Sequence, residues 1–480
     1  MPLIPVRQTM KFFFLSLFSA SLLIFPAFAI AIEELTLGQL LQRMLDNYPD
    51  MILADLDVEH ARQELPQIES QIGLVLRGKS GYSRDLSFIG TSSDNFSVAG
   101  ELNRTLITGE RIGLSASYRR EDNSGGSFFR GYPNPANNIN IDLNYRKPFW
   151  RGEGNPEFNQ GLIIAGTRVD IAQANRRERQ DQLASQVVDL FYSALFTRYR
   201  IENSQYAIDR ARRLKKYIGK RVQLGLAEEK DRLQAEARLR AEQASWQSLQ
   251  LIWKQQQVAL NRFSGKPWDN EIRPLSLLET FPLSASDIDS FVADAVLHSP
   301  ALNREQGRLE IARAMIEQRR NAHRNTLDLV VSAGIRNLAG DTGGGSLNKT
   351  DLAGGVNIEY QRALDHRGFD AALYQAQLER DRVLQEMENI RYQLRYRISG
   401  LVAEIVENRQ TVQTHEQRLA SETAKYHESE RLYREAHMDT NIMIQHEAEL
   451  QAAELALQQQ RVELLKRYAT LALLRGKLYP

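Results

Sequence analysis

The chain has 480 residues, 42% of them hydrophobic, and its 61 Lys and Arg residues nearly balance 60 Asp and Glu residues, which leaves a net charge of +1. A balanced and mixed charge gives no reason to expect nucleic acid as a partner. The absence of cysteine excludes disulfides, thiolate metal sites and a lipid-modified N-terminal cysteine.

Residues 1–29 have the pattern of a secretory signal peptide. Arg7 and Lys11 precede an apolar run at 12–25, and an A-x-A cleavage site ends at Ala29, with a second site ending at Ala31. A membrane anchor is the alternative interpretation, but the apolar run is shorter than the roughly 20 residues of a spanning helix. We therefore expect an exported protein, and the rest of the sequence predicts no transmembrane helix.

The mature sequence predicts two halves built on one plan. Each half opens with a helical segment interrupted by a proline, Pro49 or Pro300. Because the residue before a proline is pushed out of the α region, each segment predicts two helices joined by a turn. We predict one repeat at 30–263, a linker at 264–286 and a second repeat at 287–480.

Candidate strands follow in each half, where apolar and small or polar residues alternate. They lie at 112–118 and 139–145 in the first half, and at 327–333 and 356–360 in the second. The first half is longer by 40 residues, since 176 residues separate Pro49 from Gly225 but 136 separate Pro300 from Ala436. We predict that the extra residues form a hairpin near 100–140, which adds either strands or only a long loop.

Each half then predicts a very long helical region, at about 158–262 and 368–475. Each region is interrupted by a short polar turn, at Gly225 and Ala436. In the second region apolar positions repeat every eleven residues, which favours nearly straight packing of neighbouring helices. An uninterrupted helix over 158–219 would be roughly 90 Å long. An ordinary coiled-coil dimer is the alternative.

The alternating strands suit a transmembrane barrel, in which one face meets lipid and the other meets water. A barrel must close, because an open edge in lipid leaves backbone groups unpaired. One chain offers four to six candidate strands, and closed membrane barrels begin at about eight. Several chains would therefore share one barrel, unless the strands form a soluble hairpin cap on a helical protein.

The order and duplication of these motifs resemble the TolC-like outer-membrane efflux proteins, also called outer-membrane factors. The matching motifs are Asn47-Tyr48-Pro49, His298-Ser299-Pro300, YRKPFWRGEGN, QLGLAEEKDRLQAEARL and EAHMDTNIMIQHEAEL. The resemblance implies an all-α fold with a transmembrane β-barrel portion. In it, a homotrimer with four strands per chain forms a 12-stranded barrel in the outer-membrane lipid, continued by a long periplasmic α-helical barrel.

By resemblance the protein is the outer-membrane exit duct of a tripartite efflux pump or type I secretion system. The two turns would be periplasmic tips that contact an adaptor protein, which links the duct to an inner-membrane pump. This role falls on Gly225, Leu226, Ala227, Glu228, Ala436, His437, Met438 and Asp439. Ala436 departs from the family pattern, which usually has glycine there.

The resemblance also places a periplasmic constriction near Asp231, Ile442 and Gln445. Family members carry acidic side chains just past the second tip, whereas this chain has Ile442 and Gln445 at the matching positions. Asp231 and Asp439 remain nearby. We expect only weak block by divalent cations, and strong block of the single-channel conductance by added cations would contradict this.

Nothing in the sequence predicts an enzyme. The eight histidines are scattered, and the sequence contains no HExxH, GxSxG or P-loop motif. We therefore expect no catalytic residues, cofactor or metal. A periplasmic coiled-coil scaffold or adaptor without a channel is the competing function, and a homologue of the channel that does not conduct is a third.

Overall fold

The computed structural model describes residues 33–86, 91–126, 131–275, 287–435 and 437–478. The predicted signal peptide and Ala436 lie outside these ranges. The helices and strands follow in this order: β1 (Glu33–Thr36), α1 (Leu37–Asn47), α2 (Pro49–Arg62), α3 (Glu64–Glu69), β2 (Leu74–Leu86), β3 (Ser92–Thr105), β4 (Arg111–Asn123), β5 (Ala136–Pro148), α4 (Pro156–Gln223), α5 (Glu229–Ser264), β6 (Ile272–Leu275), α6 (Ile288–His298), α7 (Pro300–His323), β7 (Thr326–Asp341), β8 (Ser346–Gln361), α8 (Arg367–Arg434) and α9 (Thr440–Leu474).

The predicted proline breaks are confirmed in both halves. α1 ends at Asn47 and α2 begins at Pro49, while α6 ends at His298 and α7 begins at Pro300. Proline suits the first position of a helix, because the N–H that it lacks has no partner within the helix there. The same helix–turn–helix unit therefore opens each half.

Two helical hairpins dominate the molecule. The long helices α4 and α8 have 68 residues each, which corresponds to about 100 Å at about 1.5 Å per residue. α5 and α9 return along them with 36 and 35 residues. Among the described residues no helix has an apolar stretch sufficient to cross a membrane. α4 also contacts α9 and α7, so the two hairpins lie side by side.

The largest buried cluster surrounds the middle of α4. It collects apolar side chains from α1, α4, α5, β6 and α9, among them Leu40, Met44, Leu183, Val187, Phe191, Leu260, Ile272 and Ala469. β1 and β6 pair in parallel beside it, and Arg198 donates a hydrogen bond to the Pro274 carbonyl at 2.8 Å. The predicted linker therefore contains a strand that is part of the core.

The remaining strands form one antiparallel sheet in the order β2-β3-β4-β5-β7-β8. Pairing of β5 with β7 joins the two halves of the chain. The first half contributes two hairpins to the described sheet and the second half one, so the 40 extra residues add strands and not only a loop. The predicted position near 100–140 was wrong for this addition, because the strands that the sequence did not identify are β2 and β3, at 74–105. The four strands per chain implied by the resemblance are corrected to six.

Candidate functional site: a two-faced sheet and paired helix tips

One face of the six-stranded sheet is apolar from edge to edge. The strand register aligns two rows of apolar or glycine residues across all six strands. These rows are Leu76, Leu102, Leu114, Leu143, Ala333 and Gly354, and Gly78, Gly100, Ala116, Ile141, Ile335 and Leu352. About half of the surface of Leu114, Ile141 and Leu143 is exposed, although all three lie on inner strands. This face therefore offers a continuous apolar surface.

The opposite face of the same sheet is polar. The row between the two apolar rows contains Arg77, Glu101, Ser115, Asp142, Gly334 and Ala353. Arg77 and Glu101 form an ion pair at 3.6 Å. Because side chains alternate between faces along a strand, the sheet separates an apolar side from a polar side. That is the pattern of a sheet with lipid on one side and water on the other.

Aromatic side chains lie where the sheet joins the helices. The rings of Trp150 and Tyr360 meet edge to face with centroids 6.1 Å apart. Both side chains, and that of Phe149, remain about half exposed. Tyrosine and tryptophan favour membrane–water boundaries, because their rings are apolar and their N–H or O–H groups are polar. These residues mark the helix-side boundary of the apolar band.

Gly225 ends the first long helix in a left-handed conformation. Its φ angle is +69°, and a side chain at this position would meet no atom within 4 Å. Glycine is therefore required by the backbone and not by lack of space. Glu228 then caps α5 in a capping box, in which its backbone N–H donates to Asp231 Oδ2 at 3.2 Å.

The first tip presents apolar side chains to solvent. Leu224 and Leu226 are 72% and 62% exposed. Ala227 is partly buried, and Glu228 is exposed and pairs with Lys230 at 2.8 Å. The hydrogen bond from Lys230 to Glu228 raises the pKa of the lysine ammonium. The turn therefore combines two exposed leucines with a charged pair.

The second tip is organised by Asp439, which caps α9. Asp439 Oδ1 accepts a hydrogen bond from the Asn441 N–H at 2.7 Å. The backbone N–H of His437 donates to the Leu432 carbonyl at 2.9 Å, and its side chain is exposed. Met438 is only partly exposed, because it packs against a buried cluster. The sequence gives no sign of this packing.

The two tips, more than 200 residues apart in sequence, share one base. A cluster of Ile218, Ala235, Tyr433 and Met443 takes one buried side chain from each of α4, α5, α8 and α9. The Arg221 guanidinium lies 5.9 Å from the ring centroids of both Tyr217 and Tyr433, and it donates to the Leu226 carbonyl at 3.2 Å. One arginine thus connects the first turn to the second hairpin.

The predicted constriction residues lie close behind these tips. Asp231 is partly buried and acts as part of the α5 cap, whereas Ile442 is 43% exposed. Gln445 is exposed and donates to Glu449 at 2.9 Å. In the described part of the chain, no three acidic or histidine side chains are arranged to hold a metal ion.

A buried polar network, absent from the sequence-based prediction, joins the two hairpins above the tips. Arg210 on α4 donates to Glu447 on α9 at 3.2 Å, and Glu447 is only 2% exposed. On α5, Arg238 pairs with the buried Glu242 at 2.7 Å and donates to Gln451 on α9. Glu447 occupies the same helix face as the apolar Met443 and Leu450. A charged residue on an apolar face is the feature of the sequence that could have predicted this buried network.

Glu447 makes the packing of the hairpins depend on pH. Burial raises the pKa of its carboxyl above the ordinary 4.5, against the opposing effect of Arg210 and Arg238. The folded protein therefore holds this proton at a pH where the unfolded chain has released it. The contribution to stability is complete below about pH 4.5 and is lost as the pH rises through the folded-state pKa.

Glu447→Gln should remove this dependence. We expect the stability of the wild type relative to this variant to increase as the pH falls from 7 towards 4.5, measured by urea unfolding with circular dichroism at 222 nm. Glu404→Gln, at a carboxylate whose side chain is 61% exposed, is the control. If the difference in free energy of unfolding between wild type and Glu447→Gln stayed constant from pH 7 to 4.5, the prediction would be wrong.

The sequence profile of the family described as outer membrane efflux protein matches residues 111–266, from β4 through the first helical hairpin. The outer-membrane channel OprN superposes with a TM-score of 0.67 over 92% of this chain and 90% of that chain, at 15% identity. The chain has the fold of an outer-membrane efflux channel.

Two further outer-membrane proteins share this fold. CmeC from Campylobacter jejuni superposes with a TM-score of 0.66 over 92% of this chain and 86% of that one, at 14% identity. VceC from Vibrio cholerae superposes with a TM-score of 0.66 over 92% of this chain and 96% of that one, at 15% identity. No curated protein matches the sequence.

The family match and the shared fold confirm the resemblance to the TolC-like outer-membrane efflux proteins. The mostly helical fold with a β portion is confirmed as well. Because the matched family consists of outer-membrane proteins, the predicted localisation in the outer membrane is also confirmed. The repeat boundaries and the roles of the tip residues stay predictions.

Proposed function

We propose that the protein is the exit duct of a tripartite efflux pump or a type I secretion system. Three copies would form a tunnel that carries substrate from an inner-membrane pump across the periplasm and the outer membrane. The first and second tips, including Ala436, would contact a periplasmic adaptor protein. Asp231, Ile442 and Gln445 would line the periplasmic constriction.

The observation that carries this proposal is the continuity between the two-faced sheet and the paired hairpins. α4 and α8 begin within a few residues of β5 and β8 and extend about 100 Å to the tips. A chain with this plan suits a membrane at one end and a partner at the other. A periplasmic scaffold has no use for an apolar sheet face of this extent, since such a face favours aggregation in water.

Planar-bilayer conductance, together with the mass of the protein in detergent, tests the proposal. Protein extracted from outer membranes should behave as a trimer and produce long-lived, low-conductance openings. A chain that is soluble without detergent as a monomer or dimer, and that does not conduct, would favour the coiled-coil scaffold. A detergent-extracted trimer without conductance would indicate a homologue that has lost the channel.

Leu226→Glu should weaken adaptor docking at the first tip at least tenfold. Burying a leucine contributes about 1.5–3 kcal/mol, and about 1.4 kcal/mol corresponds to a factor of ten in the dissociation constant. The exposed side chain makes no contribution to the core, so the fold should be unchanged. The adaptor is first identified by crosslinking in cells. Its dissociation constant for the purified protein is then measured by titration.

Gln223→Glu is the matched control for this variant. Gln223 is exposed at the end of α4, beside the same turn. The control adds the same charge without removing an apolar side chain, and it should bind the adaptor nearly as well as the wild type. Equal weakening by both variants would show that charge and not the leucine governs docking.

A further inference from the structure

In the described part of the chain, each outer strand of the sheet has a neighbouring strand on one side only. All thirteen residues of β2 and fourteen of the sixteen residues of β8 are exposed, unlike most residues of β5 and β7. Each outer strand pairs on one side only, β2 with β3 and β8 with β7. The other edge of each strand carries a row of backbone N–H and C=O groups without a partner strand. In lipid every such group must be paired, because no water is available there.

The two edges are suited to each other. Six antiparallel strands in sequence leave β8 running opposite to β2, so pairing of β8 in one copy with β2 in the next continues the antiparallel pattern. On the apolar face, β2 presents Leu76 and β8 presents Leu352. On the polar face, β2 presents Arg77 and Lys79, and β8 presents Asp351 beside Lys349, at 3.9 Å. Glu359, further along β8, already pairs with Arg146 of the same chain at 2.7 Å.

We infer that β8 of one copy pairs with β2 of the next, so that three copies close a sheet of eighteen strands. The inference rests on the three-copy duct proposed above and specifies its membrane portion. The count follows from six strands per chain, whereas the resemblance implied twelve strands from four per chain. The additional hairpin thus becomes part of the membrane-spanning wall.

The consequence is a wider exit. The diameter of a barrel grows roughly linearly with strand number, so eighteen strands give about 1.5 times the diameter of twelve. Barrels of about 16–18 strands leave an aqueous channel along their axis. The membrane end of the duct would then pass wider solutes than a 12-stranded exit allows.

Disulfide crosslinking tests the pairing against a clean background, because the chain has no cysteine of its own. Lys79→Cys on β2 is combined in turn with a cysteine at four positions on β8: Asp351, Ala353, Gly355 and Asn357. All five positions lie on the polar face of the sheet. Within one chain, five strand spacings of about 4.8 Å separate the two edges, beyond the about 7 Å reach of a disulfide.

We expect at least one double variant, oxidised in native membranes, to give covalent species of two and three chains with nothing larger. The control series combines Ser115→Cys on β4 with the same β8 positions. β8 would meet β4 of the next copy if only four strands closed the barrel. Crosslinks in the control series, or a ladder that ends at two chains, would overturn the eighteen-strand sheet.

Conductance of the same preparations separates this inference from the proposed function. Absence of crosslinks in both series in a conducting protein would overturn the β2–β8 pairing and leave the duct in place. If the unmutated protein did not conduct, the proposed duct would be contradicted, together with the inference that rests on it.

Discussion

Replacing Arg210 by alanine is expected to destabilise the helical hairpins by about 3–5 kcal/mol. The substitution leaves Glu447 almost fully buried without the guanidinium that it contacts at 3.2 Å. Removing one partner of a buried ion pair has a cost of this size, since the remaining charge stays away from water. Chemical denaturation of the detergent-solubilised protein, followed by circular dichroism, measures the loss.

Arg212→Ala is the matched control on the same helix. The Arg212 side chain is 62% exposed and pairs with Asp209 at 3.1 Å, and exposed pairs of this kind contribute about 0–1 kcal/mol. The double variant Arg210→Met, Glu447→Leu removes both charges and should recover most of the lost stability. Equal denaturation midpoints for Arg210→Ala and Arg212→Ala would show that the buried network is not important for stability.

Placing an arginine at Leu143 should prevent stable assembly in the outer membrane. Leu143 lies on β5 between Leu114 and Ala333, in the middle of the apolar face. An arginine near the midplane of a bilayer costs about 2–4 kcal/mol in a transmembrane strand, and every copy in the assembly carries one. The amount of folded protein in the outer-membrane fraction should therefore fall sharply. It is measured by gel electrophoresis of unheated samples, in which the folded protein resists unfolding.

Asn144→Arg provides the control at the adjacent position. Asn144 lies on the polar face between Gly113 and Ser332, so an arginine there meets water and not lipid. This variant should assemble in the outer membrane in amounts similar to the wild type. If both variants were lost equally, the assignment of the two faces to lipid and water would be wrong.

Much of the fold was predictable, because local patterns determined it. Pro49 and Pro300 end one helix and begin the next through their own ring geometry, which no tertiary contact needs to enforce. The alternation in β4, β5, β7 and β8 is regular, and each strand was identified. β2 and β3 escaped separate identification, since small and polar residues such as Gly78, Ser80 and Gly100 interrupt their apolar rows.

The candidate site was less predictable than the fold. Gly225 was identified as a turn, because glycine adopts a left-handed backbone conformation without steric strain. Met438 was assigned to a tip that contacts an adaptor, but its side chain packs partly against the buried cluster at the base of the tips. The partners of Glu447 come from α4 and its neighbours, and a single sequence does not show which side chains meet across helices.

The sequence by itself determined the proline breaks, the long helical hairpins and the family resemblance, since each depends on residues close together along the chain. The export signal at 1–29 stays a prediction. Only the tertiary structure decided that the sheet has six strands, that its apolar rows are continuous, and that the two tips share one base. These features depend on register and on contacts between distant segments. A one-residue change of register would move every side chain of a strand to the other face, so the two-faced sheet exists only once all six strands are aligned.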